Sequence, residues 1–359
     1  MGDRMKIGIL TFINTINFGA SLQSYALQEV IESFGIKVEV IQYKNEAIEN
    51  KELNRGKRSW KIKGIVKKIV MGRGMKNKRR KFQEYEEQNI RKGIDFQKTA
   101  IREINKYYDK FITGSDQVWN MDITHEDWNY FLEFVIDEKK KVSYAPSFGN
   151  PVFRDSCKEK ARELLNGFHA LSVREQSGKD FIYNLCNREA MLVVDPTLLL
   201  DRQKWEAKII FVPKVKNYIL VYFPHKKKSV FEFVKKLRAK TGCSVIYLSI
   251  SPRIQRGMKT IYDASPNEFL GWVKHAAYVV TGSFHGTAFS LNLEKQFFYE
   301  PSGSGSRIDN IVKMCGVENR GIDGDGVMNT NINYEIVRER LADFRAESKE
   351  WLEKAVRGD

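Results

Sequence analysis

The chain has 359 residues, 42% of them hydrophobic, and a formal net charge of +15. That length supports two domains, and since no run reaches about 18 apolar residues, a membrane-spanning helix is excluded. The charge is local: residues 51–92 hold 16 Lys or Arg against 4 Asp or Glu, so the remainder is close to balanced and no nucleic-acid partner is expected.

The first twelve residues, with Lys6-Ile-Gly-Ile-Leu-Thr-Phe12, read as an opening strand and not as a signal peptide. From there strands and helices alternate. A strand is expected at 6–12, a helix at 20–34 with Leu22, Ala26, Val30 and Phe34 on one face, and a strand at 37–43. Beyond the basic segment, strands ending in polar turns are expected at 111–116 and 141–149. A helix at 157–166, a strand at 170–174, a helix at 179–185 and a strand at 191–194 follow. A second run begins with a strand at 218–223, a helix at 230–240 and a strand at 244–250. It continues with a helix at 267–275, strands at 278–282 and 296–300, and a helix at 308–315. An amphipathic helix at 334–356 ends the chain. Alternating βα units imply parallel sheets covered on both faces. The fold class is therefore α/β, with two Rossmann-like domains facing across a cleft. The domains are expected at 1–203, with the basic insertion at about 51–92, and at 204–330, followed by the helical tail at 331–359.

The four cysteines, Cys157, Cys186, Cys243 and Cys315, match no metal-ligand spacing. Reduced, mostly buried thiols in a cytoplasmic protein are the expectation, with no metal site and no resident cofactor.

In open α/β sheets ligands bind beyond the carboxyl ends of strands, so the chemistry is sought in the turns there. Thr281-Gly-Ser-Phe-His-Gly286 is a tight strand-to-helix turn. It aims a helix N-terminus at one spot, which suits an anion, and puts His285 there as the acid/base group. Ser283 and Gly286 shape the cradle. Asn14-Thr-Ile-Asn-Phe-Gly19 lacks the glycines of a dinucleotide fingerprint; Asn17 and Gln23 either hold a sugar or phosphate or serve a capped helix start. In Gly114-Ser-Asp-Gln-Val-Trp-Asn120, Asp116 is a candidate base and Gln117 and Trp119 candidate sugar contacts, against an Asx-turn that orders a loop. Arg174 in Ser172-Val-Arg-Glu175 is a candidate anion ligand, against a structural ion pair. Asp195-Pro-Thr197 reads as a structural turn. Ser302-Gly-Ser-Gly-Ser-Arg307 offers Ser304 and Arg307 to a phosphate, or is a surface loop. His125, His169, His225 and His275 lack such settings and read as structural or surface residues.

Taken in order, Asn17-Phe-Gly-Ala-Ser-Leu-Gln-Ser-Tyr-Ala-Leu-Gln28, Gly114–Trp119, Ser143-Tyr-Ala-Pro-Ser-Phe-Gly149, Ser172–Glu175, Asp195–Thr197 and Ser283-Phe-His-Gly286 resemble the polysaccharide pyruvyl transferase family. The resemblance implies a fold like the GT-B architecture of two-domain glycosyltransferases, with the acceptor on the first domain and the donor on the second. It implies phosphoenolpyruvate as donor substrate and a sugar hydroxyl pair as acceptor, on a bacterial glycan or lipid-linked oligosaccharide. Arg174 and His285 match the basic residues that contact the donor in that family. Some members carry an Arg two residues before the motif histidine. Here that position is Ser283, so a cation for the donor carboxylate must come from elsewhere, such as Arg307. A nucleotide-sugar glycosyltransferase and a non-catalytic glycan- or polyanion-binding protein share the expected fold.

Residues 60–70 place Ile62, Ile65, Val66, Ile69 and Val70 on one helical face with lysines around them. Two readings fit: a basic amphipathic helix that docks through about 57–81 on an anionic membrane at the inner face, or a helix packed on its own domain with a solvated basic face. Co-sedimentation with anionic vesicles at low salt separates them: membrane docking requires binding that fades with added salt, and no binding at low salt rejects it.

Overall fold

The computed structural model describes residues 5–48, 65–149, 153–223, 228–249, 255–301, 306–324 and 326–358, with 65–71 as backbone alone. Two compact units emerge: Met1–Lys51 with Glu86–Leu199 and Ala342–Asp359, and Glu52–Tyr85 with Leu200–Leu341.

In the first unit, β1 (Lys6–Leu10), α1 (Phe18–Ser33) and β2 (Lys37–Gln42) precede the long helix α2 (Ile65–Asn89), whose last residues belong here. Strands β3 (Lys92–Asp95), β4 (Lys110–Thr113) and β5 (Lys141–Ser143) follow, then α3 (Asp155–Asn166), β6 (Ser172–Val173), α4 (Gln176–Cys186) and β7 (Met191–Leu192). The sheet runs β3-β2-β1-β4-β5 with every pair parallel, and a parallel Val142–Ala170 bridge leads on toward the β6-β7 pair. The second unit repeats the plan. It contains β8 (Tyr218–Tyr222), α5 (Lys228–Thr241), β9 (Ser244–Leu248), β10 (Lys259–Ile261), α6 (Pro266–Lys274), β11 (Tyr278–Thr281), α7 (Phe284–Asn292), β12 (Phe297–Tyr299) and α8 (Arg307–Cys315). Its sheet runs β10-β9-β8-β11-β12, again parallel throughout. The α/β class is as the alternation predicts.

The two strands that sequence pattern does not reveal, β3 and β10, both lie at sheet edges. Their sequences, KGID and KTI, are exposed or half-buried, so no apolar run marks them. The central strand β8, YILVY, is buried at every position and easily read.

The unit boundaries differ from those expected. Part of the basic segment groups with the second unit, not the first. There Lys81 pairs with Glu268 at 2.8 Å, Asn77 Nδ2 donates to Asp263 at 2.9 Å, and a Cβ on Gly74 would stand 2.2 Å from the Tyr262 ring. The apolar stripe 62–70 lies outside the described side chains, and no described helix is long and apolar enough to cross a membrane. The C-terminal helix α9 (Tyr334–Arg357) is likewise divided. Tyr334 bonds the Lys295 carbonyl in the second unit, whereas Ser348 accepts the Val194 N–H and Arg345 donates to the Leu198 carbonyl in the first.

All four cysteines are free thiols; Cys157, Cys243 and Cys315 are buried, and burial pushes Cys315 up to about 12.

Arg320 anchors the second unit. It is 1% exposed and lies 4.3 Å over the Phe298 ring. Its guanidinium donates to the carbonyls of Phe297 (3.0 Å), Val327 (3.1 Å) and Thr330 (2.7 Å). Replacing it by Leu removes the donor from all three. At about 1–3 kcal/mol for a buried group left unsatisfied, Arg320→Leu is expected to cost about 3 kcal/mol or more, read as a lower midpoint in urea unfolding.

Candidate active site

In each sheet the chain reverses its direction of winding between the first strand and the fourth, at β1/β4 and at β8/β11. The carboxyl ends of these pairs are where open α/β sheets bind ligands.

In the second unit this end is closed by the turn that carries His285. Thr281 Oγ1 donates to the Tyr222 carbonyl at 2.8 Å and accepts the Ser283 N–H at 3.1 Å, which ties β11 to β8 as the strand ends. Ser283 caps α7: its backbone is extended and its hydroxyl accepts the Gly286 N–H at 3.4 Å. Both glycines answer close approaches. A Cβ on Gly282 would meet the Phe223 ring at 2.5 Å, and one on Gly286 would meet Thr281 Oγ1 at 2.2 Å. Every residue of α7 is buried, so the helix runs through the core and its N-terminus is fixed by packing. His285 is 6% exposed, with its ring edge-on to Phe284 at 5.2 Å between centroids. His125, His169 and His275 are exposed, and His225 lies outside the described residues. The Glu300 N–H donates to the Thr281 carbonyl at 3.0 Å, and its carboxylate lies 3.3 Å from where a Gly282 Cβ would stand. Glu300 thus borders the turn, a placement that no motif in the sequence signals. Arg307, half-buried, opens α8 one strand over, behind the Ser306 cap. Ser304 lies outside the described residues.

In the first unit four separate motifs converge. After β4, Gly114 takes φ +109° and Asp116 φ +72°. The latter is left-handed backbone that a non-glycine residue adopts at some cost, of the kind that clusters at functional sites. Arg174 Nη1 donates to Asp195 Oδ2 at 2.5 Å; Nη2 stands 3.7 Å from Asp116 Oδ1 and Nε 4.0 Å from Glu175 Oε2. Burial opposes the charge on Arg174, but Asp195, then Asp116 and Glu175, overcome it and raise its pKa. Asp195 is itself held by Thr197 N–H (3.0 Å), Thr197 Oγ1 (2.7 Å) and Ser115 Oγ (3.2 Å), and Glu175 accepts the Phe148 N–H at 3.0 Å. Breaking such a buried pair on one side costs about 3–5 kcal/mol. The sequence setting of Asp195 suggested only a structural turn, and the pairing with Arg174 is an addition to that reading. Asp195 is the closest partner of the guanidinium.

Other expected contacts are placed differently. Trp119 is fully buried; its indole N–H donates to the Tyr130 carbonyl at 2.9 Å and its ring stacks on Phe131 at 5.1 Å, so it offers no face to a sugar. The correction has a simple cause: an aromatic beside a polar turn serves core packing as readily as recognition. Gln23 is also fully buried, accepting the Ser115 N–H at 3.1 Å and donating to Thr11 Oγ1 at 2.9 Å, and so supports the Asp116 turn from beneath. Asn17 is half-buried and caps α1 through the Gly19 N–H at 3.0 Å. Gln117 is half-buried and accepts from Asn120 Nδ2 at 3.0 Å. Among the described residues no group of His, Cys, Asp and Glu could hold a metal ion.

Two parallel α/β sheets, each with a polar turn at its switch point, define the class: an enzyme fold of the Rossmann-like, GT-B type. The family described as polysaccharide pyruvyl transferase matches residues 17–300, and the chain belongs to it; it is a transferase. Among solved structures, a Listeria monocytogenes chain described as a UDP-N-acetylglucosamine 2-epimerase is 10% identical, with 98% of this chain and 91% of that one covered at a TM-score of 0.52. Another UDP-N-acetylglucosamine 2-epimerase is also 10% identical, with 99% and 94% covered at 0.50. These likenesses are of fold. No curated protein matches the sequence.

The turn's tolerance is testable. Gly286→Ala must force the Thr281 hydroxyl aside, so a fall in melting temperature is expected together with loss of transferase activity. Ser283→Ala removes only the cap and is expected to cost about 1 kcal/mol. Equal effects of the two on melting would contradict the packing described.

Proposed function

We propose that this transferase moves the enolpyruvyl group of phosphoenolpyruvate onto two hydroxyls of a bacterial glycan or a lipid-linked precursor. The observation that supports it most is His285 in the first turn of a buried helix, at the carboxyl end of β11 beside β8. A helix N-terminus attracts a phosphate, and a histidine there can give a proton to the group the phosphate activates.

The reaction adds an alcohol to a carbon that is electrophilic only after protonation. His285 protonates the methylene carbon, which becomes a methyl group. A sugar hydroxyl then attacks the neighbouring carbon, the C–O bond to phosphate breaks, and a second hydroxyl closes the ketal. Of the two hydroxyl protons lost, one balances the proton given to the methylene and the other leaves with inorganic phosphate. The Ser283–Gly286 turn stabilises the phosphate as charge builds on it, with Arg307 as the cation on that side. Asp116 takes the hydroxyl proton, and Gln117 and Asn17, both half-buried at strand ends of the first unit, are the remaining acceptor contacts. A cytoplasmic enzyme docked on the inner membrane face by its basic segment would meet a lipid-linked acceptor directly.

Purified protein mixed with phosphoenolpyruvate and a panel of galactose-, mannose- and acetylated-aminosugar glycans is expected to release phosphate only with an acceptor and to yield a product of ketal mass. His285→Ala is expected to lower kcat by about 100-fold or more. Near-wild-type turnover of that variant at saturating donor removes the acid role. If phosphoenolpyruvate is inert and uridine diphosphate raises the melting temperature, the protein is a nucleotide-sugar enzyme instead.

A further inference from the structure

Beyond the Asp116 turn, the first unit holds a cavity that the chemistry above does not use. Its volume is about 320 Å³, and Met121, Asp122, His125, Glu126, Arg154 and Cys157 line it. The first four follow β4, and the last two sit at the start of α3, which follows β5. Both connections leave carboxyl ends of the sheet, the side on which ligands bind. They also touch there: a Cβ on Gly149 would stand 2.3 Å from Asn120 Nδ2 and 2.6 Å from Gln117 Oε1. Between Asp116 and Met121 the chain can span at most about 18 Å, so the cavity wall starts within a few sugar lengths of the Asp116 turn.

One wall is a turn that the chain holds at some cost. His125 and Glu126 both take left-handed backbone, at φ +55° and +59°, and neither is glycine. Their N–H groups both donate to the Met121 carbonyl, and Asn45 Nδ2 fixes the turn through the Thr124 carbonyl at 3.0 Å. The Asp122 carboxylate and the His125 ring are exposed, with no protein hydrogen-bond partner among the described residues. Glu126 pairs with Arg154 at 3.0 Å, the two side chains being 37% and 78% exposed. A pair so exposed adds little stability and can yield to a ligand. Met121 and the buried Cys157 supply the apolar part of the lining.

This lining selects its ligand. A phosphate or carboxylate would meet two carboxylates and a single guanidinium that one of them already holds. Among the described residues no group could hold a metal ion. A sugar ring suits the site: carboxylates accept from its hydroxyls, the guanidinium donates to its oxygens, and Met121 meets its C–H face. We propose that the cavity binds a neutral sugar residue of the acceptor, next to the one that receives the pyruvyl group, and that the enzyme therefore prefers an oligosaccharide to a single sugar. This rests on the functional reading above, in which the polar end of the first unit receives the acceptor.

The test compares acceptors of different length on the full chain. The glycan that turns over in the panel is supplied as a neutral trisaccharide and as the methyl glycoside of its terminal sugar. The trisaccharide is expected to have the higher kcat/KM by about tenfold or more, and Asp122→Ala to remove about tenfold of that advantage, the worth of one hydrogen bond to a charged group. The loss should fall on KM for the trisaccharide with kcat unchanged, because the second sugar is held equally in the ground and transition states. Binding is read from the isotope-labelled methyl of Met121, assigned with Met121→Leu. Its NMR signal should shift on adding the trisaccharide and not on adding inorganic phosphate. Equal use of the two acceptors, an equal loss on both in Asp122→Ala, or a Met121 signal that the trisaccharide leaves unmoved overturns the inference. If phosphoenolpyruvate is inert with every glycan, the functional reading fails. The Met121 signal then decides the sugar site with neutral trisaccharides ending in galactose, mannose or an acetylated aminosugar. A shift that Asp122→Ala abolishes supports the site, and no shift, or one that survives the substitution, rejects it. If circular dichroism shows Asp122→Ala unfolded, Arg154→Ala takes its place.

Discussion

The ion pair between Arg174 and Asp195 is the constraint around which the first unit's polar end is built. A guanidinium this deeply buried is tolerated only where carboxylates and hydrogen bonds surround it. Meeting that demand draws in residues from several strand ends: Ser115 and Asp116 after β4, Glu175 beside Arg174 after β6, and Asp195 with Thr197 after β7. Gln23 of α1 joins from below through Ser115. Each of these groups would be costly to bury by itself. Together they form one buried polar network that supports the left-handed backbone of the Asp116 turn on several sides.

The second unit solves the same topological problem with packing instead of charge. Its switch-point turn is held by close approaches, Phe223 against Gly282 and Thr281 against Gly286, and by one hydroxyl cap. The helix behind it is wholly buried, so core packing fixes the position of His285. The two units thus share a sheet order and differ in how they stiffen the turn at the switch point. Charge and hydrogen bonds set the turn at Asp116 in one. Steric contact sets the turn at His285 in the other.

How much of this was legible in the sequence depended on the kind of signal. The central strands were plain because a strand with neighbours on both sides is buried on both faces and must be apolar; Tyr218–Tyr222 and Tyr278–Thr281 are such cases. The edge strands Lys92–Asp95 and Lys259–Ile261 were not, since one neighbour and partial exposure leave no pattern. The turn at Thr281–Gly286 could be found because glycine, a capping hydroxyl and a histidine in six residues have few uses. Trp119 misled for the opposite reason: the same residue suits a sugar or a core, and only its surroundings, Phe131 and the Tyr130 carbonyl, distinguish them.

The sequence by itself determined the α/β class, the parallel sheets, the family and the strand-end turns on which chemistry had to be sought, because hydrophobic periodicity and short motifs are local and survive in one dimension. The tertiary structure decided which of those motifs meet. That Arg174 answers to Asp195, that Gln23 supports Ser115 across 92 positions, and that the end of the basic segment belongs with the second unit are pairings between residues far apart in the chain. A buried charge is stabilised by whatever partner the fold brings to it, and no spacing along the chain names that partner in advance.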